Sequence, residues 1–301
     1  MNAAVSRMDG SPPQAPKARA GRVLAPYLLT LPGGLWLLVF FLVPMLIMTS
    51  VSLQTGSLEE GFRLTWHFRT YLDVVSRYHA QFVRSLIYGS IASFATLVVS
   101  YPVAYWIAFR GGRHKTTYLL LLLLPFFVSF VIRTLAWEFI LADDGILLGT
   151  LKHLHLIPQS FRLLATSTAV ISGIAYNFLP FMALPLYVAL EKIDRSVVEA
   201  ARDLYANRSQ VFWRVIFPLS IPGVFAGFLL TFVPAVGDYV NASILGGTNT
   251  VMIGNIIQLQ FLQNFHYPVA AALSFILMAG LLIGIFAYAR VLGARSIEEY
   301  V

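Results

Sequence analysis

Residues 217–236 read FPLSIPGVFAGFLLTFVPAV, a run without a single charged side chain. An α-helix rises about 1.5 Å per residue, so a run of about 20 residues spans the roughly 30 Å of hydrocarbon in a bilayer. The prolines within it do not exclude a helix, because membrane helices tolerate proline where neighbouring groups satisfy the freed backbone. This stretch therefore predicts a membrane-spanning helix.

Five further apolar runs of comparable or greater length lie at residues 24–53, 82–109, 117–141, 163–190 and 267–289. Overall, 58% of the residues are hydrophobic and only 12% are charged, whereas a soluble domain carries about 25% charged residues. Too little charge is present to cover a water-facing surface, which excludes the soluble globular classes. We predict an all-α integral membrane protein with six transmembrane helices in one bundle.

The polar segments between the runs predict the organisation and orientation of the chain. Fourteen Lys and Arg residues lie in the N-terminal lead, the second and fourth inter-span segments and the tail, against five in the other three segments. Since positively charged segments stay in the cytoplasm, both termini are expected there. The expected parts are a disordered cytoplasmic N-terminus at 1–22, a first transmembrane helix at 23–53, an extracytoplasmic loop at 54–81, a helical core at 82–290 with outer loops at 142–162 and 237–266, and a cytoplasmic tail at 291–301.

The fourth inter-span segment, residues 191–217, is long for a turn and carries nine charged side chains. Its middle, residues 197–206, reads VVEAARDLYA, with good helix formers and apolar side chains at helical spacing. We predict a short amphipathic helix. From the pattern alone it is either a connector on the membrane surface or a helix that docks into a partner protein through its small Ala-Ala surface.

The same segment carries a family resemblance. Glu199-Ala200-Ala201, followed by Phe212, Ile216, Pro218 and Pro222, resembles the EAA loop of binding-protein-dependent ABC importer permeases. The resemblance implies the type-1 permease fold and a coupling helix that sits in a groove of a cytoplasmic ATPase. It assigns the coupling role to Glu199, Ala200, Ala201, Asp203 and Tyr205; the last stands where the family usually has glycine, which puts the local turn in question.

Two other stretches narrow the resemblance to spermidine/putrescine permeases of the PotB type. They are Pro125-Phe126-Phe127 with Ser129, Arg133, Thr134, Trp137 and Gly145, and the segment 232–258 with its motifs FVPAVGDYV, LGG and MIGNIIQ. The resemblance implies a permease core at 82–290 in a bacterial inner membrane and import of polyamines or a similar small cationic solute. It implies as partners a second homologous permease subunit, a cytoplasmic ATPase dimer and an extracytoplasmic substrate-binding protein.

The sequence contains no recognisable catalytic motif. The nearest string to a phosphate-binding loop, Gly111 to Thr116, lacks the glycine before lysine and precedes a membrane span rather than following a strand. The chain has no cysteine, no zinc-protease motif and no nucleophile elbow, and His153 and His155 read as solvated loop residues. We therefore expect no catalytic site, no metal and no cofactor, ATP hydrolysis by a separate subunit, and a lipid bilayer rather than nucleic acid as the surroundings of this basic chain.

Ionisable and aromatic side chains near the predicted spans are candidates for the substrate pathway, because charge in a membrane is costly. The candidates are Asp238, Tyr239, Asn241, Trp137, Glu138 and Arg133. Arg133 and Glu138 could instead form an ion pair near the headgroups, and Asp238 could instead cap the end of the fifth span. The pathway role and these structural roles both remain open at this point.

Two other classes of function compete with a polyamine importer subunit. An importer permease for another small solute fits the same motifs. A stand-alone secondary transporter would need coupling carboxylates near the membrane centre and inverted repeats, and a membrane enzyme or sensor would need a catalytic constellation. The sequence shows none of these features.

Overall fold

The computed structural model describes residues 30–298, with only the backbone described for Tyr288 and residues 291–298. The predicted disordered lead at 1–22 and residues 299–301 of the predicted tail lie outside the described residues. The helices are α1 Thr30–Ser52, α2 Arg69–Arg110, α3 Lys115–Leu123, α4 Phe130–Leu141, α5 Ile146–His153, α6 Ser167–Asn177, α7 Leu179–Glu191, α8 Arg195–Asp203, α9 Arg208–Val236, α10 Val240–Ile244, α11 Ile253–Gln258 and α12 Tyr267–Glu298.

Four of these helices are long and apolar enough to cross a membrane alone, namely α1, α2, α9 and the part of α12 up to Ala287. Two further crossings are bent helix pairs, so the count reaches six when each pair is one span. The predicted all-helical, six-span class is confirmed. The chain divides into two compact units, residues 1–50 and 51–301, of which the second contains everything described below.

A short hairpin precedes α2 in the segment predicted as an outer loop. Strand β1, Gln54–Ser57, pairs antiparallel with β2, Gly61–Leu64. Helix α2 then begins at Arg69, well before the apolar run at residue 82. Its polar first turns are helical because Val74 is buried in a cluster with Ile253 and Leu273, a tertiary contact that a search for apolar runs does not detect.

The third span is broken between α3 and α4. Val128 is extended, with φ −81° and ψ 144°, and the helical segments 112–127 and 130–153 meet at 87°. Pro125 contributes to the break because proline cannot donate a backbone hydrogen bond and disfavours helix at the residue before it. The fourth span bends by 47° between α6 and α7 at Phe178, just before Pro180.

The segment 237–266 differs most from the sequence prediction of an outer loop. It forms α10 and α11 and packs into the protein, with Asn241, Leu245, Met252 and Ile253 completely buried. The segment is therefore not an irregular loop, because its apolar side chains join the main core. That it lies on the outer side of the membrane stays a prediction. One core cluster joins Ala242, Leu245 and Met252 of this segment to residues of α2, α4 and α6.

Candidate functional site

The buried polar site lies where α9 ends and α10 begins. Asp238 is only 7% exposed. One carboxylate oxygen accepts a hydrogen bond from the backbone N–H of Asn241 at 3.0 Å, and the other accepts one from the Asn241 side chain at 2.5 Å. Asp238 therefore caps the start of α10, rather than the end of the span as the sequence alternative supposed.

Asn241 extends this hydrogen-bond network to two other helices. Its Oδ1 accepts hydrogen bonds from Asn177 Nδ2 at 3.0 Å and from Thr134 Oγ1 at 3.3 Å. Asn177 Nδ2 also donates to Thr134 Oγ1 at 3.0 Å. The network thus joins the α9–α10 junction to the end of α6 and to α4, and buried networks of this kind specify one arrangement of the elements they connect.

Glycine at two positions lets the backbone approach this network closely. A Cβ at Gly173 would lie 2.8 Å from Asn241 Oδ1, and one at Gly254 would collide with the carbonyl oxygen of Gly237. Neither contact leaves room for a larger residue. The segment 237–254 therefore packs against α6 and against its own start with no space between them.

Arg133 does not pair with Glu138 among the described residues. Its guanidinium carbon lies 4.3 Å from the centroid of the Phe126 ring and 5.7 Å from that of Phe130. The Nε and Nη1 atoms are buried and have no hydrogen-bond partner in the part of the chain that the structure describes. The alternative of an Arg133–Glu138 ion pair is therefore wrong, and Arg133 stacks on aromatic rings instead.

The rings of Trp137, Tyr176 and Phe126 form a series, and Arg133 stacks on the last of them. The Trp137 and Tyr176 ring centroids are 5.5 Å apart, and those of Tyr176 and Phe126 are 6.0 Å apart. Tyr176 was not among the sequence candidates, although Tyr176-Asn177 is a polar pair within an apolar run and such a pair is a usable signal. Tyr239 is exposed and Glu138 half-buried, and neither joins the network through its side chain.

A cavity of about 710 Å³ opens beside Arg133. Asn177 also lines it and is 1% exposed, and its Oδ1 has no hydrogen-bond partner among the described residues. The other walls are apolar and aromatic, including Phe126, Phe178 and Phe181. The polar side chains in the wall of this otherwise apolar cavity are thus a cation, Arg133, and an amide, Asn177.

The segment that resembles the EAA loop forms α8, as predicted. Asp194 caps it, accepting a hydrogen bond from the backbone N–H of Ser196 at 2.9 Å, and this bond lowers the pKa of the Asp194 carboxyl. Val198 is buried in a cluster with Met182 and Leu186 of α7, and Ala201 packs against the same cluster. This apolar side holds α8 firmly against the spans.

The two remaining faces of α8 differ in chemistry. Arg195, Glu199 and Arg202 line a cavity of about 700 Å³ between α8 and the end of α2. By helical spacing Val197, Ala200 and Leu204 share the opposite side; Leu204 is 82% exposed and the following Tyr205 is 98% exposed. Exposed large apolar side chains on a highly charged segment fit both predicted roles of this helix, a connector on the membrane surface and a docking helix. Of the five sequence candidates for coupling, Ala200 and Tyr205 are exposed on or beside this apolar surface, whereas Glu199 lines the cavity; Leu204 was not among the candidates.

The end of α8 resolves the question raised by Tyr205. Tyr205 has φ +57°, its N–H donates to the Arg202 carbonyl, and the Ala206 N–H donates to the Ala201 carbonyl. This is the Schellman pattern that usually ends on glycine. The turn is therefore kept with a tyrosine in the left-handed region, at a cost of about 1 kcal/mol.

We predict that Tyr205→Gly stabilises this turn by about 0.5 to 1 kcal/mol, because glycine adopts a positive φ without a Cβ penalty. Amide hydrogen exchange in α8 measures the change, and slower exchange is expected. Leu204→Gly is the control: Leu204 has φ −82°, so glycine there gains nothing and exchange should quicken. Faster exchange in Tyr205→Gly as well would contradict the strained turn.

Comparison with known protein families identifies the family to which this chain belongs. The family model for the binding-protein-dependent transport system inner membrane component matches residues 22–295. The chain belongs to this permease family. The permease is accordingly a multi-pass inner-membrane component of an ABC importer rather than an enzyme, and ATP is hydrolysed by a separate subunit. The alternative of a stand-alone transporter is thereby set aside.

Relatives and solved structures agree with this membership. The spermidine/putrescine transport system permease protein PotB of Haemophilus influenzae is 38% identical over 258 residues, covering 85% of this permease and 90% of that protein. The PotB protein of Escherichia coli K12 is 34% identical, covering 87% and 97%. The structure of a bacterial ABC transporter that imports the acidic polysaccharide alginate matches with a TM-score of 0.69 at 19% identity, covering 91% and 96%, which confirms the fold.

Proposed function

We propose that this permease moves polyamines, or closely similar small cations, inward across the membrane. The observation that carries the proposal is a buried carboxylate network whose member Asn177 is the chain neighbour of Tyr176, the middle ring of an aromatic series. Asp238 supplies a negative charge, and the rings from Trp137 through Tyr176 to Phe126 supply faces that attract ammonium groups by about 0.5 to 2 kcal/mol each. The names of the PotB relatives support the same class of solute.

Charge in the surrounding segment favours a cation as well. Residues 237–266 contain Asp238 and no Lys or Arg, although the chain has a formal net charge of +7. A diamine or triamine would therefore meet no fixed positive charge in this segment. Tyr239 is exposed and Asn241 is buried in the network, so we assign Tyr239 to the entrance and Asn241 to the positioning of Asp238.

The test is uptake by the complete complex in vesicles, with the second permease subunit, the ATPase dimer and the substrate-binding protein present. Labelled putrescine and spermidine are expected to accumulate in an ATP-dependent manner, and labelled succinate, a small dianion, is not. Absence of putrescine and spermidine uptake by an actively ATP-hydrolysing complex would overturn the proposed substrate class.

We further propose that both termini lie in the cytoplasm, with residues 1–22 as a lead, 23–53 as the first span, 82–290 as the permease core and 291–301 as the tail. The bias of Lys and Arg supports this orientation. It puts α8 on the cytoplasmic side and the hairpin at 54–64 outside.

The orientation predicts a labelling pattern. The chain has no cysteine, so Asn207→Cys and His67→Cys each introduce one reactive thiol at an exposed position. In intact cells a membrane-impermeant maleimide should label position 67 and leave position 207 unlabelled until the membrane is opened. Labelling of 207 alone in intact cells would reverse the orientation.

For α8 we propose docking into the cytoplasmic ATPase, with the exposed side of Val197, Ala200, Leu204 and Tyr205 as the contact surface. Ala201 and Val198 hold the helix to the spans, so movement of the ATPase is transmitted to α7 and α2 as a rigid-body motion. Near the base of α8, Lys115 Nζ lies 2.6 Å from Glu191 Oε1 and ties the start of α3 to the end of α7. Glu199 lines the cavity on the opposite side of α8, and we assign Glu199 and Asp203 to orienting the helix.

A further inference from the structure

The proposed cation pathway contains a fixed cation, and this requires an explanation. Arg133 lies in the third span and lines the same cavity as Phe126 and Asn177. A positive charge at this place opposes the entry of any other cation. A polyamine permease would be expected to lack it unless the charge has a use.

The charged group of Arg133 occupies the face of an aromatic ring. Its guanidinium stacks 4.3 Å from the Phe126 ring centroid, which is the last ring of the series from Trp137 and Tyr176. The face that would receive a substrate ammonium is therefore already filled by a cation of the protein itself. Arg133 is not locked there by hydrogen bonds, since Nε and Nη1 have no partners among the described residues.

A neighbouring acceptor is also available to a substrate. Asn177 Oδ1 has no hydrogen-bond partner among the described residues, while Asn177 Nδ2 is held by the Asn241 network. An ammonium group that reached the cavity would find both Asn177 Oδ1 and the Phe126 ring in its walls, and it could bind the ring face. It could do so only after the Arg133 guanidinium had left that ring.

We propose that Arg133 is a resident cation barrier: it occupies the aromatic end of the cavity between transport cycles, excludes alkali cations and protons, and swings away only when a substrate ammonium takes its place. This rests on the cation pathway proposed above. Fixed positive charges exclude cations in other membrane pores by the same electrostatic means. Repulsion between unit charges about 6 Å apart, at an effective dielectric constant of about 20, corresponds to roughly 100-fold exclusion.

The test measures passive cation leak through the complete complex in vesicles, without polyamine, with and without ATP. Arg133→Gln and Arg133→Met remove the charge and should raise K⁺ and proton leak by up to about 100-fold. Arg133→Lys keeps the charge and should stay as tight as the wild type. Phe126→Leu removes the ring and not the charge, so it should slow putrescine uptake without opening a leak.

A charge-rescue experiment separates the barrier from a packing defect. The chain has no cysteine, so Arg133→Cys can be modified with a cationic or a neutral thiosulfonate reagent. The same reagents applied to the unmutated complex control for reaction with cysteines of the other subunits. The cationic adduct should close the leak and the neutral adduct should not. Assembly is verified beforehand by stimulation of ATPase activity by the binding protein.

The leak and uptake measurements separate the barrier from the substrate class. Charge-removing variants as tight as the wild type, or equal leak with both adducts, would overturn the barrier. Lack of putrescine and spermidine uptake by the wild type would overturn the proposed substrate instead, and the leak comparison would still decide whether Arg133 excludes inorganic cations. The two failures are therefore distinguishable.

Discussion

Leu204→Glu is expected to abolish ATP-driven uptake while the permease still folds and inserts. Leu204 is 82% exposed at the end of α8, so the change costs little in the isolated subunit. In the complex it would place a carboxylate in the apolar contact with the ATPase. Losing a central apolar contact of this kind costs about 2 kcal/mol or more, which corresponds to at least a roughly 30-fold weaker association.

The measurements are co-purification of the ATPase, ATPase activity and putrescine uptake on one preparation. Ser209→Glu is the matched control, because Ser209 is exposed on the next helical segment and lies off the proposed docking surface. It should retain association and uptake. Full uptake by Leu204→Glu would reject docking through this surface and restore the alternative of a connector on the membrane.

Glu199→Arg is a less clean test of docking than Leu204→Glu. Glu199 lines the cavity that also contains Arg195, Arg202, Arg110 and Arg208. Reversing its charge would therefore add a fifth arginine to four others and disturb the packing of α8 against the end of α2. A loss of coupling in that variant would not separate docking from local repulsion, whereas Leu204→Glu does.

Asp238→Asn is expected to reduce uptake by about tenfold or more, with substrate capture by the binding protein unchanged. Both carboxylate oxygens accept hydrogen bonds from Asn241. The new amide can accept one of them, but its NH₂ group would face the Asn241 Nδ2 donor. An unsatisfied buried donor costs about 1 to 3 kcal/mol, and the charge that attracts the substrate is lost as well.

Asp144→Asn is the matched control for this prediction. Asp144 is exposed between α4 and α5 and forms no salt bridge among the described residues, so its replacement should leave uptake unchanged. Thermal unfolding of both variants separates the structural cost from the electrostatic one. Wild-type uptake rates in Asp238→Asn would remove Asp238 from the pathway.

The sequence was sufficient for the membrane class and for α8, and insufficient for the site. Long uncharged runs predict spans because lipid leaves no other way to satisfy the backbone. The pattern around Glu199 predicts α8 because amphipathic spacing is local. The pairing of Asp238 with Asn241 is also local, yet the contacts of Asn241 with Asn177 and Thr134 join residues that are far apart in the chain.

The segment 237–266 shows why a polar composition misleads. Its Asn, Thr and Gly residues resemble those of a loop, but Asn241 is buried, and its side chain bonds to Asp238 and to residues of α4 and α6. Whether a polar segment is solvated or buried depends on partners that lie elsewhere in the chain. The early start of α2 was missed for the same reason, because Val74 is buried in a cluster with Ile253, a residue far along the chain.

The amino-acid sequence by itself determined that this is a helical membrane protein with a charged amphipathic helix, because hydrophobicity and helical periodicity are properties of short stretches; the permease class came from the resemblance of the Glu199 segment to a known family. Only the tertiary structure decided that Arg133 stacks on Phe126 instead of pairing with Glu138, and that Leu204 rather than Glu199 dominates the outward surface of α8. The reason is physical: the direction of a side chain and the partner that it meets depend on breaks and packing between helices, which local sequence does not encode.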